Sequence, residues 1–323
     1  MKIFKIAALS FVTGIFFFCA SSAPSNGQSD YPSKNITILV PYEPGGISDS
    51  ISRLISDVGR KYSPQPFVVV NRPGASGTTA IFELVQSKPD GYTMSFASSS
   101  EASSAIHILP AKYTIDSYTV VCQAGNLPVV LATKGPWPNL KEFVEYARKN
   151  PDKIRAGVPG LGTVVRLTGE RFASSAGLKL KIVPFQGSGP LLPAVLGGHV
   201  EVAFMNVPEI SPQFKAGELK VLCVFGDERS KSLPGAPTAK EEGFDIAGGA
   251  SHFIVFPNGV APGARDKMDS IMKKIIEDPD FQKRTTELGY TAFYRNAEAA
   301  KAFIRDWYTV SEKLYSSLGM KKR

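Results

Sequence analysis

Most of the residues that could do chemistry in this chain lie in three glycine-bounded loops, and what they offer is hydrogen-bond donation to an anion. The loops are Pro44-Gly45-Gly46 with Ser48 and Asp49, Gly160-Leu161-Gly162-Thr163, and Gln186-Gly187-Ser188-Gly189-Pro190. Each separates a strand-like run from a helix-like run, so backbone N–H groups face outward at the positive end of a helix dipole. The residues alone leave an alternative open, because connections of this kind that bind nothing recur throughout α/β folds.

A fourth group of donors is the run Ser98-Ser99-Ser100, which follows a predicted strand from Tyr92 to Ala97. Open α/β sheets bind their ligands beyond the carboxyl ends of their strands, where these three hydroxyls would lie. The alternative is that they belong to an ordinary solvated loop.

Recognisable enzyme motifs are absent from the sequence. The three histidines form neither an HxxxH nor an HExxH pair, and the three cysteines form no CxxC pair, so no zinc site is predicted. Gly160-Leu161-Gly162 is followed by Val165 where a dinucleotide loop needs a third glycine. Glu43 and Asp49 could act as paired carboxylates, but a rim charge and a helix cap are the favoured interpretations. We therefore predict no catalytic residue, no metal, no cofactor and no enzyme.

Alternating strands and helices must position these loops. Ile36 to Tyr42 is an apolar, β-branched run, and the segment that follows the first glycine loop has apolar residues at helical spacing from Ile47 to Val58. Ser48 or Asp49 could cap this helix. The same strand, glycine loop and helix recur in the second half of the chain, which predicts two similar α/β lobes.

The first 27 residues have the pattern of a signal peptide. Lys2 and Lys5 give a basic start, and residues 6–18 form an apolar core too short to span a bilayer in comfort. Cys19 raises the alternative of a lipid-anchored N-terminus, although Phe18 before it is a poor match to that pattern. No later stretch is apolar enough to span a membrane, so an exported protein is predicted.

The charge and the cysteines add two further expectations. The net charge is +8, but the basic residues are spread along the chain, and no block resembles a nucleic-acid-binding arm. Cys122 and Cys223 can pair in an oxidising compartment or remain two buried thiols. An exported chain with two lobes, several donor-rich loops and no catalytic group is typical of a solute-binding protein, whose lobes close around a ligand by hinge motion.

Several motifs occur in an order and spacing that are specific when taken together. They are Ile36-Thr37-Ile38-Leu39-Val40-Pro41-Tyr42 with Gly45-Gly46 and Asp49…Arg53, residues 70–77 (VNRPGASG), 88–93 (KPDGYT), 183–188 (VPFQGS) and 196–201 (LGGHVE), Glu228-Arg229-Ser230, and Pro237-Thr238. This pattern resembles that of the Bug, or TctC-type, periplasmic solute-binding receptors of tripartite tricarboxylate transporters. The resemblance covers essentially the whole chain after residue 27.

The resemblance implies an α/β, type II periplasmic-binding-protein fold with two α/β lobes, a ligand cleft and two hinge crossings. Lobe 1 would comprise residues 28–121 and 225–323, and lobe 2 would comprise residues 122–224. These crossings would bring Cys122 and Cys223 into one neighbourhood, which gives weight to a disulfide between them.

The resemblance also implies a function. The protein would bind a small carboxylate (a di- or tricarboxylate, an amino acid or an aromatic acid) and, as a periplasmic monomer, deliver it to the membrane permease subunits of a tripartite tricarboxylate transporter. The alternative is a periplasmic sensor that feeds a membrane signalling kinase. Carried over residue by residue, the ligand-binding positions are Tyr42, Gly45, Gly46, Ser48, Asp49, Ser98, Ser99, Ser100, Gly160, Gly162, Thr163, Gln186, Gly187, Ser188 and Asn206.

Four positions depart from the family's usual residues. They are Glu43, Ile47, Arg166 and Asn206. The departures leave the identity of the carboxylate open, and they do not change its chemical class.

Overall fold

A computed structural model describes residues 31–320 of the chain. The signal peptide predicted over residues 1–27, with Cys19, lies outside the described residues. Within the described part, no helix combines the length and the apolar composition needed to cross a bilayer.

The described residues alternate between strands and helices, as the sequence predicts. The strands are β1 (Ile36–Val40), β2 (Phe67–Asn71), β3 (Thr93–Ser98), β4 (Tyr118–Thr133), β5 (Arg155–Val158), β6 (Lys181–Pro184), β7 (Val202–Asn206), β8 (Lys220–Val224), β9 (Gly249–Pro257) and β10 (Thr291–Asn296). The helices are α1 (Ile47–Gly59), α2 (Thr78–Gln86), α3 (Leu140–Lys149), α4 (Val164–Ser175), α5 (Ser188–Leu196), α6 (Val207–Lys215), α7 (Pro262–Ile276), α8 (Pro279–Glu287) and α9 (Ala297–Ser317). Short helical turns cover Ala75–Gly77, Ser100–Ser104 and Ala105–His107. The predicted α/β class is confirmed.

Two sheets meet along the long strand β4. The strand order is β2-β1-β3-β9-β4-β7-β5-β6, with β10 and β8 also paired to β4. Residues Tyr118 to Pro128 of β4 pair with β9, whereas Val129 to Thr133 pair with β7 and β8. The first sheet is therefore built from two separate chain segments, and the second from the segment between them. The lobe boundaries placed after residues 121 and 224 stay a prediction.

The parallel pairs place the carboxyl ends of several strands toward the same edge of their sheet. In the first sheet β1 is parallel to both β2 and β3, and in the second sheet β5 is parallel to both β6 and β7. Each of β1, β5, β6 and β7 then leads, directly or through a short loop, into a helix. The starts of α1, α4, α5 and α6 are positioned by this arrangement.

Separate apolar cores stabilise the two sheets. On the first sheet, α1 buries Ile51, Leu54 and Ile55 among residues of β1, β3 and α7. On the second sheet, Phe172 contacts Phe225 with the ring centroids 5.5 Å apart. Each large side chain removed from water contributes about 1.5–3 kcal/mol, so these cores hold the helix starts in place.

The structure corrects the disulfide that the resemblance implied. Cys122 and Cys223 are both free and buried, in different cores. Cys223 lies opposite Leu131 of β4, and Cys122 lies on the same strand, nine residues before Leu131. Nine residues of strand span about 30 Å, whereas a disulfide joins Cα atoms within about 7 Å. The crossings near these cysteines therefore do not bring the two thiols together.

Candidate functional site

A cavity of ≈ 730 Å³ lies where the first turns of α1, α4, α5 and α6 meet. Its walls come from the β1–α1 loop, the end of β3, the loops before α4 and α5, the start of α6, and residues of β4 and β9. The chain thus brings together segments that are more than 200 residues apart in the sequence. Such a cavity is large enough for a small organic ligand.

Most of the residues predicted to bind a ligand line this cavity. They are Tyr42, Gly45, Gly46, Ser48, Ser98, Ser100, Thr163, Gln186, Gly187, Ser188 and Asn206. The other four, Asp49, Ser99, Gly160 and Gly162, lie beside the lining residues and make hydrogen bonds within the protein.

Asp49 maintains the shape of the first glycine loop. Its carboxylate accepts from the Gly45 N–H (3.0 Å), from Arg53 Nε (2.9 Å) and from Asn71 Nδ2 (3.1 Å). Burial raises the pKa of this carboxyl, but the hydrogen bonds outweigh that effect and hold the pKa below its usual value. Asp49 therefore stabilises the loop from behind, and its charge is already paired with that of Arg53.

The remaining three residues hold segments next to the cavity in place. The Ser99 hydroxyl accepts from the Ser251 N–H at 3.2 Å, which fixes the end of β3 to β9. The Gly162 carbonyl accepts from Ser104 Oγ at 3.0 Å, and the Gly160 carbonyl accepts from Thr163 Oγ1 at 3.1 Å. The bond from Ser104 holds the loop before α4 against the helical turn that follows β3, and the bond from Thr163 lies within that loop.

Two of the four helices start without any side chain bound to their free N–H groups. Gly46 is the N-cap of α1 and Gly187 the N-cap of α5, and neither provides a capping oxygen. The backbone has a positive φ at Gly45 (83°) and at Gly187 (107°), and such conformations favour glycine. The first turn of each helix can therefore donate to a ligand, with about half a positive charge from the helix dipole.

The other two helix starts are partly satisfied by the protein. Thr163 Oγ1 accepts from the Arg166 N–H at 3.3 Å at the start of α4. At the start of α6, the Glu209 carboxylate accepts from the Asn206 N–H at 2.7 Å. The donors that remain are consequently concentrated at α1 and α5.

The described lining residues carry no cationic side chain to balance an anion. Among the described residues that line the cavity there is no lysine or arginine, and the acids are Glu43 and Glu209. An anion here would be held by backbone N–H groups, hydroxyls and ordered water, an arrangement common in small-molecule sites.

Glu101, which the sequence did not single out, orients two of the lining side chains. It is fully buried, and it accepts from Tyr42 Oη at 2.9 Å, from Ser98 Oγ at 2.5 Å and from the Ser98 N–H. Burial raises its pKa to about 7 despite these hydrogen bonds. Its position directly after the three serines is the one local signal that could have indicated it.

His252 also lines the cavity. Its ring stacks on Phe96 with the centroids 4.7 Å apart, and Nε2 lies 3.3 Å from Ser48 Oγ. Burial lowers its pKa to about 3, so the ring is neutral at physiological pH. His252 is 204 residues from Ser48, and no sequence pattern links the two.

Other lining residues that the sequence did not indicate are mostly apolar. The apolar ones are Leu127, Pro159, Pro208, Ala250 and Leu288. Their side chains gave no chemical signal, because an apolar residue beside a cavity has the same sequence pattern as one in a core.

A second, more open depression of ≈ 570 Å³ lies at the other end of β4. Thr133, Lys134, Leu219 and Lys220 line it, together with the ends of α5 and α6 near Leu196 and Gly217. Helix C-termini present carbonyl groups and negative dipole ends. This depression therefore lacks the convergent amide donors that distinguish the larger cavity.

Comparisons with known proteins agree with this architecture. A family model described as the tripartite tricarboxylate transporter family receptor, TctC, matches residues 51–320. Protein BugT of Bordetella pertussis is 27% identical over 302 residues, which cover 91% of this chain and 92% of that protein.

Two solved structures give the same result at the level of the fold. A structure described as that of a periplasmic transporter superposes with a TM-score of 0.81 at 29% identity, covering 90% of this chain and 99% of the other. MatC from Rhodopseudomonas palustris, solved with bound malate, superposes with a TM-score of 0.77 at 25% identity, covering 88% and 99%. The predicted periplasmic-binding-protein fold is thereby confirmed, as is the family resemblance. Because the family model matches most of the length of this chain, the chain belongs to the tripartite tricarboxylate transporter receptor family, TctC.

Proposed function

We propose that this protein is an extracytoplasmic receptor that binds a small carboxylate in the cavity between the four helix starts and delivers it to the membrane permease of a tripartite tricarboxylate transporter. Members of this family are periplasmic solute-binding receptors, and the related MatC was solved with bound malate. The observation that carries the proposal is the convergence of helix N-termini on one cavity that has no lysine or arginine among its described lining residues.

The ligand's carboxylate is proposed to lie at the start of α1. The N–H groups after Gly46 are uncapped, and the Ser48 hydroxyl lies on the same side. The Ser50 hydroxyl also lines the cavity but donates to the Gly46 carbonyl at 3.1 Å. Hydrogen bonds to a charged group contribute roughly 1.5–3 kcal/mol each, so three or four of them contribute about 4.5–12 kcal/mol before the cost of association. Micromolar binding, about 8 kcal/mol, therefore also needs contacts to the rest of the ligand. The first turn of α5, with Ser188, would close on the ligand from the second sheet.

Binding can be tested with a panel of carboxylates that includes malate, succinate, adipate, citrate, benzoate, aspartate and glutamate. We expect at least one of them to raise the melting temperature of the purified protein, since a ligand at a hundred times its Kd stabilises the native state by about 2.7 kcal/mol. The corresponding uncharged amides serve as controls. Stabilisation by the amides equal to that by the acids would refute an anion site, and so would a failure of every carboxylate to bind.

Delivery is tested separately, because a receptor and a sensor would bind the same ligand. Immobilised protein loaded with the carboxylate found in the panel is incubated with detergent-solubilised membranes of the native host. We expect the permease subunits to be retained. Retention of a signalling kinase instead would refute the delivery step and leave the carboxylate site unaffected.

A further inference from the structure

The wall of the cavity at α6 differs from the wall at α1, because it presents hydrogen-bond acceptors. Glu209 lies in the first turn of α6 and lines the cavity. Its side chain accepts from the Asn206 N–H at 2.7 Å and from Asn206 Nδ2 at 3.0 Å. A carboxylate has about four acceptor positions, so Glu209 retains capacity for a donor on a ligand.

A buried acceptor lies beside it. Asn206 is 7% exposed and lines the cavity. Its Oδ1 atom faces the Glu209 N–H in a capping box at the start of α6, but it makes no hydrogen bond of good geometry. Buried polar atoms are almost always paired. An amide oxygen has two lone pairs, so Asn206 Oδ1 can accept from a donor on the ligand.

The negative charge of Glu209 also lacks a basic partner. No ion pair among the described residues includes it. Burial raises the pKa of this carboxyl above its usual value, despite the hydrogen bonds from Asn206 and from Ser188. The dipole of α6 offsets part of the charge, and the remainder is available to attract a cation.

We propose that Glu209 is a specificity-determining residue that selects a ligand carrying an ammonium group in addition to its carboxylate. The carboxylate lies at the start of α1, and the ammonium group donates to Glu209 and Asn206 at the start of α6. A second carboxylate at that position would face Glu209 as a like charge. This inference rests on the proposed function, and it narrows the ligand from small carboxylates in general to amino-bearing ones.

The test compares pairs of ligands that share one carboxylate and the same chain length and differ only in the group at the opposite end, which is a carboxylate or an ammonium group. Titration calorimetry measures succinate against 3-aminopropanoate, glutarate against 4-aminobutanoate, and adipate against 5-aminopentanoate, with aspartate and glutamate as branched cases. We expect the best amino-bearing ligand to bind the natural protein at least about tenfold more tightly than any of the three dicarboxylates. A dicarboxylate that binds as tightly as the best amino-bearing ligand would overturn the inference while supporting the proposed function. A panel in which nothing binds would overturn both.

Two variants then assign the preference to its residue. Glu209→Gln keeps the size of the side chain and a carbonyl acceptor for the Asn206 N–H, and we expect it to lose the preference for amino-bearing ligands. Glu43→Gln removes the other acid of the cavity, which is exposed at the rim, and we expect it to keep the preference. An unchanged preference in Glu209→Gln would overturn the inference. The ligand comparison on the natural protein remains decisive if that variant does not fold.

Discussion

Replacing Gly46 by aspartate places a negative charge at the centre of the proposed carboxylate site without disturbing the fold. Gly46 is the N-cap of α1, with φ −74° and ψ 170°, which any residue adopts. A Cβ atom added there would meet its nearest neighbour, the Glu43 carbonyl oxygen, at 3.5 Å, an ordinary contact. Aspartate is also a favoured N-cap residue. We therefore expect Gly46→Asp to fold with stability equal to or above that of the natural protein.

The expected loss of affinity follows from charge and from competition. Two like charges about 4 Å apart near a protein surface repel each other by about 4 kcal/mol, which corresponds to roughly a thousandfold in Kd. The new carboxylate would in addition accept from the N–H groups of the first turn of α1, which the ligand needs. Gly46→Asn has nearly the same shape and capping ability without the charge, so we expect it to lose no more than about tenfold.

The measurement is titration calorimetry of both variants and the natural protein with the tightest carboxylate, alongside thermal unfolding without ligand. Normal affinity in Gly46→Asp would show that the carboxylate does not lie at α1. Equal losses in the two variants would show that size, and not charge, limits binding. Either result would refute the reasoning about the helix dipole.

Three further predictions concern buried groups. Burial raises the pKa of Glu101 to about 7. The free energy of unfolding should therefore fall by roughly 3 kcal/mol as the pH rises from 4.5 to 7. Denaturant titrations across this pH range should show no such fall in the variant Glu101→Gln. Asp278→Ala should remove the N-cap of α8 and lower the free energy of unfolding by about 1–2 kcal/mol. A hydrogen bond from Tyr62 holds the pKa of Asp278 down to about 2. The stability contributed by this carboxylate is therefore present above pH 3.8 and is lost as the pH falls toward 2, which acid denaturation curves would show. Cys122 and Cys223 should react with a thiol reagent only after the protein is unfolded. The protein should also have the same electrophoretic mobility with and without reductant. A faster band in the non-reduced sample would contradict this.

Patterns that depend on neighbours in the sequence predicted the structure well. The apolar stripe of α1 is buried as expected apart from Ile47, which is partly exposed, and Asn139 caps α3 by accepting from the Glu142 N–H at 2.9 Å. The residue pattern from Ala297 to Leu318 is typical of a helix, and α9 spans Ala297–Ser317. Spacing and capping operate over one or two turns, so a single sequence contains the information they need.

Features that depend on distant partners were predicted less well. Gly125 and Pro128 interrupt the extended pattern from Thr119 to Thr133, but pairing with β9 holds this run within the single strand β4. The strand accommodates them with register shifts between residues 120 and 125 and with Gly125 at φ 147°. The edge strand β10, paired antiparallel to β4 near Gly125, was not predicted. The cap expected from Ser48 or Asp49 is absent, because Asp49 bonds to Gly45, Arg53 and Asn71 instead.

The sequence alone determined the chemistry of the donors, because glycine and proline set the loops and the following helical pattern leaves N–H groups free. Only the tertiary structure decided which donors face one another, and it placed Gly160 and Gly162 beside the cavity while Gly187 lines it. It also decided the roles of Glu101, His252 and Glu209. The protonation of a carboxylate or an imidazole depends on burial and on partners supplied by other parts of the chain, and these are set by folding.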